Sequence, residues 1–293
     1  PFFSDAARHL MYGVIISFML SGVHWTFADL LRALMSPRRL KAVLARHRET
    51  RHLIRRYFSD RRLLANILST VATKTLAYEP IAAAWESADE SVSLNEWARK
   101  EITIVLGNSE ISRTAIDAIN RCIFKRASDI TLAQPETDDL QTIFCVDELS
   151  EAGRLEGLMS LLKKSRSKGG SVAVSFQSVS GLRDSRMYGP HFTDEILAQI
   201  GNRFIGRLEC PETAEWASRV IGDQEVNQYT TSHSTSSGQS GTSNSTTNSQ
   251  QIVTRRAVLP SEFLSIPPCG LENGLSGYFV VRSAGCYFAA FSG

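Results

Sequence analysis

The chain has 293 residues, room for one large domain or two ordinary ones, and 43% of them are hydrophobic against 21% charged. That balance excludes a disordered or collagen-like chain and allows a sizeable core. Lys and Arg number 32 and Asp and Glu 30, a formal net charge of +2, so global charge selects no partner. The five cysteines, Cys122, Cys145, Cys210, Cys269 and Cys286, include no C-x-x-C pair. They suit reduced structural thiols better than a disulfide framework or a zinc site.

The first hundred residues read as helices. "SDAARHLMYGVIISFML" offers Ser4 as a cap and Asp5 in the first turn, where a negative charge suits the helix dipole. The apolar run 10–25 carries His24 and has 16 residues. About 20 are needed to cross a bilayer, so a buried core helix is expected. "TFADLLRALM" is a second helix, stopped at Ser36-Pro37, and residues 38–58 are expected to form a third. Residues 61–86 supply a fourth and a fifth, and Ser93 followed by Glu96 has the spacing of a capping box.

The pattern then changes. "EITIVLG" (101–107), "TIFCVDE" (142–148), "GSVAVSFQ" (170–177) and "RFIGRLE" (203–209) read as strands, with helical segments between them. Strand and helix in alternation predict an α/β sheet with crossover helices. The continuous apolar "TIFCV" is expected to be buried on both faces, as in a parallel sheet. Residues 230–251 contain 14 Ser or Thr among 22 positions and no charged residue. Such a run cannot build a core and is read as a disordered loop. The β-rich runs of 252–293 are expected to return to the sheet.

Two acids end the "IFCV" strand. Asp147 would emerge at the carboxyl end of the sheet, where open α/β folds bind ligands, and an acid there can hold Mg2+ through water. Glu148 beside it can polarise a water for attack on a γ-phosphate. Arg166 follows the next helix, where an arginine can stabilise transition-state charge in a neighbouring subunit's site. A solvated basic helix end is the plainer reading. Lys163, Lys164 and Lys168 share that surface, and contact with DNA is a competing use of it. Gln177 ends the following strand, either sensing a γ-phosphate or lying there as an ordinary polar residue.

A basic run occupies residues 38–62, with ten Lys or Arg against Glu49 and Asp60. Arg38, Arg39, Lys41, Arg46, Arg48, Arg51, Arg55 and Arg56 can neutralise phosphates without reading sequence, or form a solvated helix face. Tyr57 and Phe58 within it could stack on bases, although core anchoring is the simpler role.

The block "FCVDELSEAGRLEGLMSLLKKSRSKGGSVAVSFQSVSGLRDSRMYG", continued by "TDEILAQIGNRFIGRLECPETAEWASRVIGDQEV", resembles the type IV secretion coupling proteins, ATPases of the FtsK/HerA-like superfamily. "PFFSDAAR" at the start and "VLPSEF" near the end extend the resemblance over nearly the whole chain. It implies a RecA-like P-loop NTPase domain, interrupted by an all-α domain that faces DNA and relaxase. It also implies a hexameric ring, an N-terminal inner-membrane anchor and delivery of conjugative DNA to the secretion channel. By position Asp147 and Glu148 match the Walker B acids, Arg166 the arginine finger and Gln177 the sensor-like glutamine. Residues 1–98 would be the all-α domain and 99–229 the downstream portion of the NTPase domain.

No G-x-x-x-x-G-K-[ST] loop occurs. The nearest run, "GNSEISRT" (107–114), lacks the second Gly and the Lys, and with them the N–H cradle for phosphate. The resemblance places that loop and the membrane anchor upstream of the all-α domain. The chain is therefore expected to be a fragment that does not turn over ATP by itself; ATP and Mg2+ would bind only with the upstream loop. A non-catalytic receptor for DNA or relaxase is the alternative. A sister pump for chromosomal or plasmid partition fits the opening motif and the large helical insert less well.

Overall fold

Helix α1 runs Phe2–Ser21. Its buried side carries Ala6, Ala7, Leu10, Gly13, Val14 and Ser17, the three-and-four spacing of one helical face. Because the helix already includes residues 2 and 3, Ser4 lies inside it rather than capping it. A Cβ at Gly13 would lie 2.4 Å from Leu53 Cδ1 and 2.8 Å from Leu44 Cδ2, so glycine is what lets the next helices approach this closely. The computed structural model describes residues 2–238 and 241–291. Residues 1, 239–240 and 292–293, which fall within ranges discussed above, lie outside the described residues.

Helix α2 (Phe27–Met35) opens on a capping box: Thr26 Oγ1 accepts from Asp29 N at 3.2 Å and Asp29 Oδ2 accepts from Thr26 N at 3.0 Å. Residues 38–58 are not one helix. Helix α3 (Pro37–Ala45) stops at Arg46, and α4 (Arg48–Tyr57) restarts after His47, whose backbone is extended. Thr50 Oγ1 spans the break, donating to Leu44 O at 2.9 Å. This satisfies a carbonyl that the ended helix orphans. Helices α5 (Arg61–Thr75) and α6 (Glu79–Glu86) follow, joined by one 3-10 turn. Helix α7 (Leu94–Trp97) is one turn long, and Ser93 makes no side-chain cap bond. Leu10, Val14, Leu34, Leu40, Leu44, Tyr57 and Ile67 form the core of this helical part. Tyr57 Oη meets His9 Nδ1 at 2.8 Å, so Tyr57 is a core anchor, with Phe58 packed against the same cluster. No helix among the described residues is long and apolar enough to cross a membrane.

Residues 101–107 form no strand, because no described segment pairs with them. Helix α8 (Arg113–Leu132) then packs with the 3-10 turn, α6 and α7. The chain accordingly divides into two compact units, residues 1–137 with 155–160, and residues 138–154 with 161–293. The packing boundary falls after α8 rather than at 98/99.

Strand β1 (Thr137–Val146), in the second unit but for its first residue, lies beside β2 (Lys168–Val174), the two running parallel, with α9 (Leu158–Lys164) between them in the chain. Burial on both faces is not what β1 has. Phe144 is its buried residue, while Leu140 and Ile143 are exposed. Helices α10 (Val179–Arg183) and α11 (Gly189–Gln199) lead to β3 (Asn202–Ile205), and α12 (Pro211–Ile221) follows. Among the described residues the strands do not join one sheet. After α13 (Pro260–Ser265), β6 (Leu275–Val281) and β7 (Gly285–Phe291) form an antiparallel sheet of order β3-β6-β7. Phe263, Ala214, Ala217 and Ile205 make its core against α12 and α13.

The Ser/Thr-rich run differs most from expectation. Strands β4 (Asp223–Gly238) and β5 (Gly241–Arg256) pair antiparallel from Asp223↔Arg256 through Ser234↔Ser245 and on to Gly238↔Gly241. Residues 230–238 and 241–251 are thus the distal part of a ribbon rather than a disordered loop. Composition measures the apolar area available for a core, whereas a ladder needs only backbone N–H and C=O groups. The base of the ribbon is tied by Arg256, which reaches Asp223 at 3.0 Å and Glu215 at 3.4 Å.

The Asp29 carboxyl is held below the usual range, first by the Thr26 N–H, then by the Thr26 hydroxyl and by Arg32. A depressed folded-state value means stability present above the unfolded carboxylate range, near 4, and lost as pH falls below it. Asp29→Ala is expected to cost about 1 kcal/mol at pH 7, with the deficit shrinking toward pH 3. Urea unfolding at the two pH values checks this.

Candidate functional site

The site is built where the parallel strands end. Beyond β1 the chain passes through Asp147 and Glu148 to Leu149, which is fully buried. Ser175, the first residue after β2, donates its N–H to Val146 O at 2.9 Å and accepts from Leu149 N at 2.8 Å. Its hydroxyl donates to Asp147 Oδ1 at 2.5 Å and accepts from Glu148 N at 2.9 Å. One serine therefore locks both acids to the neighbouring strand. The lock holds Glu148 at φ 48°, a left-handed backbone that side chains other than Gly, Asn and Asp seldom adopt. Such strain persists only where surrounding bonds over-determine it. Here those bonds are the Ser175 contacts, the buried Leu149, and a turn in which Glu148 O accepts from Glu151 N at 2.8 Å and Ala152 N at 3.2 Å. Ser150 donates to the Glu148 carboxylate at Oε1.

Asp147 is exposed, and among the described residues Ser175 is its hydrogen-bond partner. Its second carboxylate oxygen is left to solvent. Gln177 is exposed in the bend after β2, one residue before Ser178, whose hydroxyl caps α10 by accepting from Gly181 N at 3.1 Å. Asp147, Glu148 and Gln177 thus lie past the same end of neighbouring strands.

Arg166 does not join them. It is exposed in the turn that precedes β2, where Gly170 N returns to Ser165 O at 2.8 Å. A Cβ on Gly170 would stand 2.6 Å from Ser165 Cβ, so the glycine permits this tight return. A strand the length of β2, about 23 Å at roughly 3.3 Å per residue, separates Arg166 from the acids. Lys163 is paired with Glu195. Arg166 has no side-chain partner among the described residues.

In the helical unit the seven Lys and Arg of α3 and α4, and Arg46 at the end of α3, are all exposed. Arg48, Arg51 and Arg55 recur along α4 on the side opposite buried Thr50, Leu53 and Tyr57. Arg51 Nη2 caps α3 by donating to Ala45 O at 3.1 Å, and the Arg56 guanidinium lies 5.4 Å from the Tyr57 ring centre. Arg38, Arg39, Lys41, Arg46, Arg48 and Arg55 have no side-chain partner among the described residues. The run "GNSEISRT" leads into α8 but follows no strand, so it lacks the strand–loop–helix setting of a phosphate loop.

Sequence reasoning missed Ser175. A serine two residues before Gln177 carries no signal until β1 and β2 are known to be neighbours in parallel. Ser175→Ala is expected to cost about 0.5–1.5 kcal/mol in urea unfolding of the 293-residue chain, while Ser175→Thr, which keeps the hydroxyl, stays close to the parent.

No curated protein matches the chain. Among solved structures, the unbound monoclinic form of the bacterial conjugative coupling protein TrwBdeltaN70 matches with a TM-score of 0.72 at 19% identity, covering 99% of this chain and 63% of that one. The plasmid coupling protein TrwB in complex with the GTP analogue GDPNP gives 0.69 at 19% identity, covering 98% and 63%. The same protein with ADP and Mg2+ gives 0.65 at 17% identity, covering 98% and 62%. The chain thus spans less than two thirds of the length of these solved chains. The likeness shows the fold, a RecA-like P-loop NTPase with an all-α domain. The model of the type IV secretion-system coupling protein DNA-binding domain matches residues 1–283, and the chain belongs to that family.

Proposed function

We propose that the chain is part of an ATP-driven translocase that couples conjugative DNA, or its nucleoprotein, to a type IV secretion channel. The observation that carries the reading is the pair of acids fixed by Ser175 at the carboxyl end of two parallel strands. Family membership gives the coarser statement, a role in conjugative DNA transfer.

The residues fit Mg2+ and the attacking water, but not the phosphates. Asp147 offers one open carboxylate oxygen at a solvent-facing strand end. No group of three or more His, Cys, Asp or Glu able to hold a metal occurs among the described residues. That suits Mg2+, which commonly takes one or two carboxylates and fills its remaining positions with water and substrate phosphate. The phosphate cradle would have to come from residues other than these 293. Bound Mg-ATP supplies the phosphoryl group whose hydrolysis drives movement.

In this reading Asp147 holds the hydrated ion through water, and Glu148 orients a water and takes its proton. Ser175 positions both acids, and Gln177 contacts the water or the phosphate from the adjacent strand. Arg166, at the far end of β2, acts on a neighbouring subunit's site. That role goes with a ring, for which six subunits are proposed. The basic face of α3 and α4 binds DNA through its phosphates. Relaxase, channel components and an inner-membrane anchor complete the proposal.

The test is DNA-stimulated ATP hydrolysis by the product of the complete reading frame. Glu148→Gln is expected to lower the rate by at least about 100-fold, and the 293 residues alone to show no turnover. Lys41→Glu, Arg48→Glu and Arg55→Glu combined are expected to weaken DNA binding and to reduce the slope of log affinity against log salt by about 2–3. An inactive complete protein would overturn the motor and leave a receptor module. An unchanged salt slope would remove DNA from the α3–α4 face.

A further inference from the structure

A groove of about 410 Å³ opens on the helical unit between the end of α1, the segment before α2, and α3. Phe18 and Trp25 form its apolar wall, their ring centres 5.5 Å apart and their planes tilted by 35°. Trp25 is half-buried, so its ring is only partly covered. The opposite wall is one face of α3 continued by Arg46 at its end, where Arg39, Ala42, Val43 and Arg46 recur at three and four residues. Arg39 and Arg46 stand two helical turns apart, about 10 Å, at either end of this wall.

The charges of the groove are unequal in kind. Asp29 and Arg32 also line it, but they neutralise each other at 3.3 Å, and Arg32 is held again by Glu86 at 2.5 Å. Among the described residues Arg39 and Arg46 have no such partner. The groove thus presents two uncompensated guanidiniums beside an aromatic wall, with its one acid already bonded. That combination suits a planar base attached to phosphates. An acidic peptide would use the arginines but leave the indole without a planar partner. The groove is too small for a duplex, whose stacked bases also offer Trp25 no free face.

We propose that this groove takes an unpaired nucleotide of a DNA single strand, the base against Trp25 and the flanking phosphates on Arg39 and Arg46. The proposal rests on the reading that the α3–α4 surface binds DNA, and it adds a preference for single strands. The α4 stripe attracts any polyanion. The groove discriminates, because stacking needs a base out of its helix.

The test uses the 293-residue chain with a fluorescein-labelled oligothymidylate, a blunt hairpin duplex of equal phosphate number, and thymidine monophosphate. Trp25→Ala and the pair Arg39→Gln with Arg46→Gln are expected to weaken single-strand binding by about tenfold. Trp25→Ala should leave duplex binding within about twofold, and Trp25→Phe, which keeps a ring, should retain most of the single-strand affinity. The arginine pair is exposed, so it remains informative if Trp25→Ala unfolds. Lys41→Glu with Arg48→Glu and Arg55→Glu should instead weaken strand and duplex alike. Equal loss of strand and duplex in Trp25→Ala, or no loss of single-strand binding in either variant, overturns the groove while leaving the surface in place. Tight binding of the mononucleotide alone would make it a free-nucleotide pocket and overturn the proposal. No DNA binding by the parent chain at low salt would overturn groove and surface together.

Discussion

Everything at the acidic site depends on the parallel pairing that continues past the ends of β1 and β2. Ser175 takes part in four hydrogen bonds there, two through its backbone and two through its hydroxyl, and all four reach the segment 146–149. Backbone bonds set the distance between the chains, and the buried Leu149 prevents the turn from lifting away. The hydroxyl then decides where the two carboxylates start from. A left-handed backbone at Glu148 is the local cost of turning two consecutive acids out of a strand in so little length, and the surrounding bonds hold it there.

The helical unit obeys a different constraint. Helices α2, α3, α4 and α6 run only eight to ten residues, and a short helix has little stability of its own. Packing and capping have to hold them. Gly13 permits a close approach, with Leu44 and Leu53 filling the space where a side chain would be. The capping box at Thr26 and Asp29 starts α2, and the Thr50 hydroxyl closes the gap between α3 and α4. Because α3 and α4 bury only narrow stripes, their outer faces are free to carry charge. The break at Arg46 and His47 brings the basic residues onto two short helices rather than one long rod.

The two basic features of the chain therefore differ in character. On α4 the arginines repeat along an exposed helix with no concavity, which suits attraction without shape. Around Trp25 two arginines flank a groove with an aromatic wall, which suits a particular chemical group. Arg166 is a third case, an exposed guanidinium at the amino end of β2, well away from the acids of its own chain.

Much of this was legible in the sequence, where the physics is local. The helical run through residue 86, the strands leading to Asp147 and Gln177, and the exposed basic stripe follow from period, composition and chain order. The resemblance to a coupling-protein family was legible as well, carried by a block of specific residues around the Asp147–Glu148 pair. What the sequence could not determine depends on which segments become neighbours. The strand expected at 101–107 found no pairing partner among the described residues. The polar run found one in its own antiparallel return, residues 230–238 against 241–251. The strand at 142–146 proved more exposed than an apolar run suggests, because burial belongs to the neighbours and not to the residues. Ser175 became a site residue, and Arg39 and Arg46 met Trp25 across a groove, only through tertiary contacts. A sequence specifies the chemistry and periodicity of each segment; the distances between segments far apart in the chain arise only when the whole is packed.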